Sequence, residues 1–378
     1  MTWIILYTAS MALWLAVLVL PWRPWRTAEA LDAASGACRD DLSDVVVLIP
    51  ARNEAQLLPH TLRALANQGP GIKIVVIDDQ SRDGTAETVH AMGLADVVVM
   101  DGSALPPGWT GKLWALEQGG AQADRRLTLL LDADIALAPG TVAALRRKIE
   151  HQDVALASLM AAPRLESLWE RLLLPAYIYF FKLLYPFRLS NAGRHGVAAA
   201  AGGCVLLETR VLSQIGGFAA IRDELIDDCA LARRVQGAGY RTWIGLTHSA
   251  TMLRRQRLGD IWNMIARTAF TQLRYSVLWL TLCTVLLALA FWVPAAGLAV
   301  ARGPAQAAAL VAYGAMAVSF RPTLRYYRLS WWWALLLPLT GTLYLAMTWT
   351  SAVRYWAGHR SRWKDRTYSR LPDSGAQG

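Results

Sequence analysis

Leu127-Thr128-Leu129-Leu130-Leu131-Asp132-Ala133-Asp134 is an apolar run that ends in two aspartates one residue apart. A short apolar run bounded by turn residues fits a strand buried on both faces. Acids at its end fit ligand binding at the carboxyl edge of a parallel sheet. The same pattern recurs upstream. Val45-Val46-Val47-Leu48-Ile49 is a buried-strand run stopped by Pro50 and followed by Ala51-Arg52-Asn53-Glu54. Ile72 to Ile77 leads into Asp78-Asp79-Gln80-Ser81-Arg82-Asp83-Gly84-Thr85, and Val97 to Met100 forms another strand. Between the first two strands, Leu57, Leu58, Leu62 and Leu65 keep helical spacing. Strands alternating with helices predict an α/β fold of βαβ units with a mixed, mostly parallel, Rossmann-like sheet. A single Asp-Gly loop after a strand is ordinarily a turn and helix cap. Three successive strand ends carrying acids and amides predict an active-site cleft.

Asp132 and Asp134 are the most chemically telling pair. Both carboxylates can reach one hard cation, or one can hold metal and the other a ribose hydroxyl. Mg2+ or Mn2+ prefers oxygen ligands and is commonly held by one or two carboxylates together with substrate phosphates.

The surrounding composition points to a membrane. Of 378 residues, 54% are hydrophobic and 17% charged, against roughly 25% charged in soluble domains. That balance excludes a disordered chain. The net charge of +10 divides unevenly. Residues 27–275 hold 26 basic and 26 acidic side chains, so the whole surplus lies in the flanks. A basic domain that grips nucleic acid concentrates its charge on a folded face; here the charge borders apolar runs, and no nucleic-acid partner is expected.

Four runs carry no charge: Met1–Trp22, Ser276–Ala301, Gly303–Phe320 and Leu329–Val353. Against the ~20 residues a membrane-spanning helix needs, the first, second and fourth suffice and the third is marginal. The first lacks a basic residue ahead of its apolar stretch and reads as an uncleaved anchor. Arginines after it, and Arg321, Arg325 and Arg328, place the region between the runs in the cytoplasm. The basic tail (Arg354, Arg360, Arg362, Lys364, Arg366) conflicts with one crossing by the fourth run. Either the rule is broken there, or that run, with Pro338 and Gly341 near its middle, is re-entrant or a short hairpin. Cys38, Cys204, Cys229 and Cys283 lack metal or redox spacing and read as free thiols in a reducing compartment.

The expected organisation is an N-terminal transmembrane anchor (1–26), a catalytic domain (44–250), an amphipathic interfacial helix (251–275), C-terminal transmembrane helices (276–353) and a basic tail (354–378). Ser167 to Phe187 reads as a second interfacial helix. This describes a multi-pass protein of a bacterial-type inner (cytoplasmic) membrane with its catalytic domain in the cytoplasm.

Residues from about Asp44 to Tyr275 resemble the family 2 glycosyltransferases, inverting enzymes of the GT-A fold that use nucleotide-sugar donors. Pro50-Ala51-Arg52-Asn53-Glu54 resembles the motif near the donor base, and Asp78-Asp79 with Ser81, Asp83, Gly84 and Thr85 the loop holding uridine and ribose. Asp132-Ala133-Asp134 resembles the metal and diphosphate motif. Asp227-Asp228 resembles a Glu-Asp motif whose second acid is the catalytic base, and Gly202-Gly203-Cys204 an acceptor-side pattern. The first acid is Asp227 where the family has Glu. Thr271-Gln272-Leu273-Arg274-Tyr275 stands where the family's processive and lipid-directed members often carry Gln-x-x-Arg-Trp; either Gln272 substitutes after a small shift, or the motif is degenerate, which argues against a processive enzyme. The anchor, Pro106-Pro107-Gly108-Trp109-Thr110-Gly111-Lys112-Leu113-Trp114-Ala115 and the C-terminal block resemble the hopanoid-associated branch, near the ceramide glucosyltransferase-like enzymes.

The resemblance implies Asp228, aided by Asp227, as the catalytic base and Pro50, Arg52, Glu54, Asp79, Lys112 and Asp132 around the donor. It implies metal, Mg2+ or Mn2+, at Asp134 and Asp132. Gly203, Gln272, Arg274 and Tyr275 would face the acceptor. The implied activity is transfer of a sugar, UDP-linked, to a membrane lipid in hopanoid metabolism. The alternatives are a polyprenyl-phosphate glycosyltransferase and a non-catalytic membrane scaffold or lipid transporter. Lys112, in a Gly-Lys pair opening a helix, fits a phosphate ligand and an ordinary exposed lysine equally well. Arg254, Arg255 and Arg257 read as membrane-surface charge ahead of diphosphate ligands. His248 reads as a packed or hydrogen-bonded histidine ahead of a metal ligand, and His60, His90, His151 and His195 show no metal spacing.

Overall fold

The computed structural model describes residues 2–34, 40–193, 196–363 and 366–369. Cys38, His195 and Lys364 lie outside them. The chain forms two compact units: residues 28–164 with 187–255, and residues 1–27 with 165–186 and 256–378.

The first of these is an α/β unit around one eight-stranded sheet. Its strands are β1 (Val45–Ala51), β2 (Lys73–Asp78), β3 (Val97–Asp101), β4 (Leu127–Leu131), β5 (Ile135–Leu137), β6 (Leu156–Ala162), β7 (Cys204–Glu208) and β8 (Thr242–Met252), in the order β3-β2-β1-β4-β7-β6-β8-β5. The pairs β3–β2, β2–β1, β1–β4 and β6–β8 are parallel, whereas β7 and β5 run antiparallel to their neighbours. The sheet is mixed, and its first four strands are wholly parallel.

Every residue of β1 is buried. Val45, Val47, Ile49 and Ala51 point into one core, and Val46 and Leu48 into the other. This period-two division explains why a continuous apolar run is needed: both faces are covered. β1 continues through Pro50 to Ala51, beyond the expected stop. Its pairing with β4 has ended at Leu48↔Leu130 while pairing with β2 continues to Ala51↔Asp78, so proline sits where one side of the ladder is already open. The chain order reverses between β1 and β4, and ligand clefts in such sheets form outside the strand ends at that reversal.

The other unit is helical. It holds helices Thr2–Val19, Leu168–Leu184, Leu258–Gln272, Pro304–Tyr326 and Leu337–Trp356, and a helix over Val277–Val300 that contains a π-turn at Ala288–Trp292. Val277–Val300 and Pro304–Tyr326 are long and apolar enough to cross a membrane, while Ile4–Val19 is shorter. The ranking of the four runs therefore changes. The third extends through Arg321 and Arg325 into a full-length helix. The fourth splits into a 3-10 segment, Trp331–Leu336, and a helix in which Pro338 occupies the first turn. Proline is tolerated there because that N–H has no intrahelical partner. The chain runs through Gly341 as one helix and does not double back.

Small residues and the π-turn allow close packing. A Cβ on Gly297 would lie 2.5 Å from Ala309 and 2.6 Å from Tyr7. The Trp14 indole donates to the Ala290 carbonyl within the π-turn at 2.8 Å, where the wider turn alters the usual helical bonding. Helix Leu168–Leu184 starts at a capping box between Ser167 and Glu170.

Candidate functional site

The loops after β1 and β2 are joined side chain to backbone. Ser81 Oγ accepts from the Asn53 N–H, Asn53 Oδ1 from the Arg82 N–H, Asp83 from the Ala55 N–H, and Thr85 Oγ1 from the Glu54 N–H. Asn53 and Gln80 adopt positive φ, 54° and 57°, a conformation that costs a non-glycine residue energy and marks functional loops. The Arg52 guanidinium donates to the Asp79 carbonyl at 2.5 Å and lies 4.0 Å from its carboxylate. Arg52, Glu54 and Asp79 are all buried. Asp83, Ser81 and Thr85 thus build the loop that presents them.

Asp132 and Asp134 follow β4. Buried Thr61, on helix Leu58–Ala66, donates to the Ala133 carbonyl at 2.8 Å, and the Asp132 N–H donates to Gly203 O at 3.1 Å. Antiparallel pairing of β5 with β8 sets Ile135 opposite Met252, and the Leu253 N–H donates to the Asp134 carbonyl. That register brings Arg254 to the site. Its Nε lies 3.0 Å from Asp134 Oδ2, and its Nη2 reaches both Glu54 oxygens at 2.6 and 2.5 Å. The expected surface role of Arg254 is corrected: its guanidinium joins the ends of β1 and β4.

Lys112 opens helix Gly111–Gly120, where a cation opposes the helix dipole. Carboxylates compensate. Its Nζ is 2.9 Å from Asp132, 3.4 Å from Asp227 and 3.4 Å from the Gly202 carbonyl. Burial works against the charged lysine, but Asp132 and Asp227 outweigh it and raise its pKa. The ordinary exposed-lysine reading is set aside.

Asp227 and Asp228 begin helix Asp227–Gly237, where acids are favoured by the dipole. The Gly202 N–H donates to Asp228 Oδ2 at 2.8 Å and the Cys229 N–H to Oδ1 at 2.7 Å. Burial and the Asp227 charge push the Asp228 carboxyl up to about 6, against the opposing pull of those N–H groups and Lys112. A carboxylate in that range suits proton removal near neutral pH. Gly202 is the glycine that makes this contact: a Cβ there would lie 3.3 Å from Lys112 Nζ and 3.4 Å from Asp228. Gly203 contributes its carbonyl to Asp132 instead.

The structure therefore brings Glu54, Asp132, Asp134, Asp227, Asp228, Lys112 and Arg254 together, with Arg52 and Asp79 on the adjoining loops. Pro50 sits on β1, opposite Ile77. Gln272, Arg274 and Tyr275 belong to the helical unit. There Gln272 accepts from Tyr185, and Tyr275 stacks on Tyr355 at 4.3 Å. Arg274 and Tyr275 have φ of 52° and 55°. His248 pairs with Asp32 at 3.3 Å, the hydrogen-bonded reading. Cys204, Cys229 and Cys283 are unbridged.

The sequence profile described as "Glycosyltransferase like family 2" matches residues 43–269. The chain belongs to this family. Among curated relatives, the 4,4'-diaponeurosporenoate glycosyltransferase of Staphylococcus haemolyticus (strain JCSC1435) is 36% identical over 93 residues, 25% of this chain and 24% of that protein. Its counterpart in Staphylococcus aureus (strain USA300) is 32% identical over 91 residues, 24% of each chain. The chain thus spans about a quarter of the length of these relatives. A solved mannosyltransferase from Pyrobaculum calidifontis, in complex with GDP-Man and Mn2+, shares 19% identity and a TM-score of 0.55 over 94% of this chain and 99% of its own. The likeness is one of fold, the α/β GT-A type.

In this family 2 member, Asp132 and Asp134 are the carboxylates placed to meet a divalent cation. Among the described residues no three His, Cys, Asp or Glu side chains form a ready cation cage. Asp132 engages Lys112 through Oδ1 and Asp134 engages Arg254 through Oδ2, so each keeps its other oxygen outside those pairs. Five carboxylates face two cations, a formal charge of −3 before an anionic donor arrives. One or two carboxylates with substrate phosphates is the usual arrangement for Mg2+. The residues fit the ion.

Proposed function

We propose that this chain is a membrane-bound, inverting, metal-dependent glycosyltransferase that moves one sugar from a UDP-linked donor to a hydroxyl of a terpenoid membrane lipid, with hopanoid metabolism as its setting. The observation that carries the reading is the Asp228 carboxylate, fixed by two backbone N–H groups beside Lys112 and Asp227.

Asp228 takes the acceptor's proton as general base, a contribution of roughly 10²–10⁴-fold. One base opposite the departing nucleotide implies inversion at the sugar carbon. Lys112 meets the developing diphosphate charge, and the Arg52–Asp79 loop receives the nucleoside. Asp134 and Asp132 would hold Mg2+ or Mn2+, which supplies Lewis-acid stabilisation of the leaving diphosphate. Asp227, one side chain away, keeps Lys112 charged and raises the Asp228 pKa.

The membrane setting is supported by the exposed apolar side chains Val277, Leu278, Trp279, Leu282, Val285 and Leu286 on the helix Val277–Val300, which lipid would cover. The carotenoid-acid glycosyltransferase names of the partial relatives and the hopanoid-branch motifs both point to terpenoid lipids. In this reading residues 44–255 catalyse, 1–26 and 276–353 lie in the inner membrane, and helix Leu258–Gln272 with Arg274 and Tyr275 after it serves the acceptor side.

The test is mass spectrometry of lipids after membranes holding the protein are incubated with a panel of nucleotide sugars. Addition of one hexose-sized mass to a hopanoid supports the reading. Sugar on polyprenyl phosphate alone would replace the hydroxyl acceptor with a phosphate.

A further inference from the structure

Arg254 joins two carboxylates from strand ends 80 residues apart in sequence, and the two ends of its bridge are unequal. Glu54 is buried and gives both oxygens to Nη2 at 2.6 and 2.5 Å. Asp134 gives one oxygen to Nε at 3.0 Å, and its side chain is 20% exposed. The Glu54 end is the tighter tether, and the Asp134 end is the one that can yield. Asp134 is also the carboxylate that fits a divalent cation. A guanidinium and that cation make competing demands on the same group, since each neutralises it. Displaced from Asp134 but retained by Glu54, the guanidinium is left with its planar fork beside a site built for a diphosphate, the anion class it pairs with well.

We propose that Arg254 is a resident placeholder: it occupies Asp134 in the ligand-free protein, yields that carboxylate to a divalent cation, and turns, tethered by Glu54, onto the donor diphosphate. The inference rests on the glycosyltransferase reading above and adds to it an order of loading, cation before nucleotide. It also explains why an arginine outside the expected site motifs is drawn between two strand ends.

The experiment uses the full chain in detergent micelles. Free Mn2+ is followed by electron paramagnetic resonance as Mn2+ alone is titrated into wild type, Arg254→Met and Arg254→Lys. UDP is then titrated by calorimetry at saturating Mn2+. Losing one charge-assisted hydrogen bond corresponds to about tenfold in affinity. Arg254→Met should therefore bind Mn2+ about tenfold tighter and UDP about tenfold more weakly, with Arg254→Lys shifted in the same directions by less. Unchanged or weaker Mn2+ binding in both variants makes Arg254 a structural brace and overturns the placeholder. Unchanged UDP binding overturns its second role. If Arg254→Met does not fold, the Arg254→Lys shifts decide. A wild-type chain that binds neither Mn2+ nor UDP defeats the underlying glycosyltransferase reading as well, whereas normal wild-type binding with unmoved variants defeats this inference alone.

Discussion

The Gly202 N–H donates to the Asp228 carboxylate at 2.8 Å while the Gly202 carbonyl lies 3.4 Å from Lys112 Nζ. One peptide segment thus touches both the proposed base and the proposed diphosphate cation. A Cβ at Gly202 would meet both, at 3.3–3.4 Å. Gly202→Ala should keep the fold and lower kcat by about tenfold, since shifts of a few tenths of an ångström at positioned groups are costly. Steady-state kinetics with a circular-dichroism control reads this; an unchanged kcat removes Gly202 from the site.

The pH profile follows from Asp228. Its pKa is raised, to about 6, and the base acts when deprotonated. Activity should be level above that value and fall as pH drops through it, by about tenfold per pH unit. A limb near pH 4, the ordinary carboxylate range, would show that burial and Asp227 do not govern the reacting group.

Lys112→Met keeps the stem and removes the charge. It leaves Asp132, Asp227 and Asp228 without their shared cation, so UDP affinity should fall by about tenfold or more, as expected for a lost charge-assisted contact. Calorimetry that finds UDP binding unaltered would return Lys112 to a structural role.

Asp134→Ala should abolish Mn2+ binding and sugar transfer while leaving the melting temperature within a few degrees. Chelation of divalent ions should silence the wild type, with activity returning on addition of Mn2+ or Mg2+. Full activity in chelator would exclude the metal requirement.

In the helical unit, Gly297 packs against Ala309 and Tyr7 with no room for a Cβ. Gly297→Leu should lower stability by about 1–3 kcal/mol through overpacking, seen as a lower melting temperature in detergent. An unchanged melt would mean that this helix contact is loose.

What could be read in advance was local. Leu127–Leu131 was bounded correctly because five buried residues are flanked by Asp and Arg, and the runs at β1, β2 and β3 differed from the structure by one or two residues. Asp132 and Asp134 are legible from their place at a strand end, whereas Asp227 and Asp228 are found only through the family resemblance. Arg254 is found in neither way. Its partners stand 120 and 200 residues away, and only the β5–β8 register brings them together; the same-sign run Arg254, Arg255 and Arg257 looked like surface charge. Lys112 was ambiguous because the carboxylates around it come from β4 and a distant helix. Pro338 leaves two readings open in the sequence, since a proline in an apolar run signals a break equally well at a helix's first turn and at its middle.

Sugar transfer with Asp228 as base can be measured outright. The direct measurement gives membranes holding wild type or Asp228→Asn an isotope-labelled UDP-sugar and quantifies labelled lipid by mass spectrometry, with UDP binding measured on both proteins. Wild type should form labelled lipid, and Asp228→Asn should lose at least a hundredfold at matched UDP affinity. Labelled lipid formed by Asp228→Asn at the wild-type rate would contradict that role for Asp228.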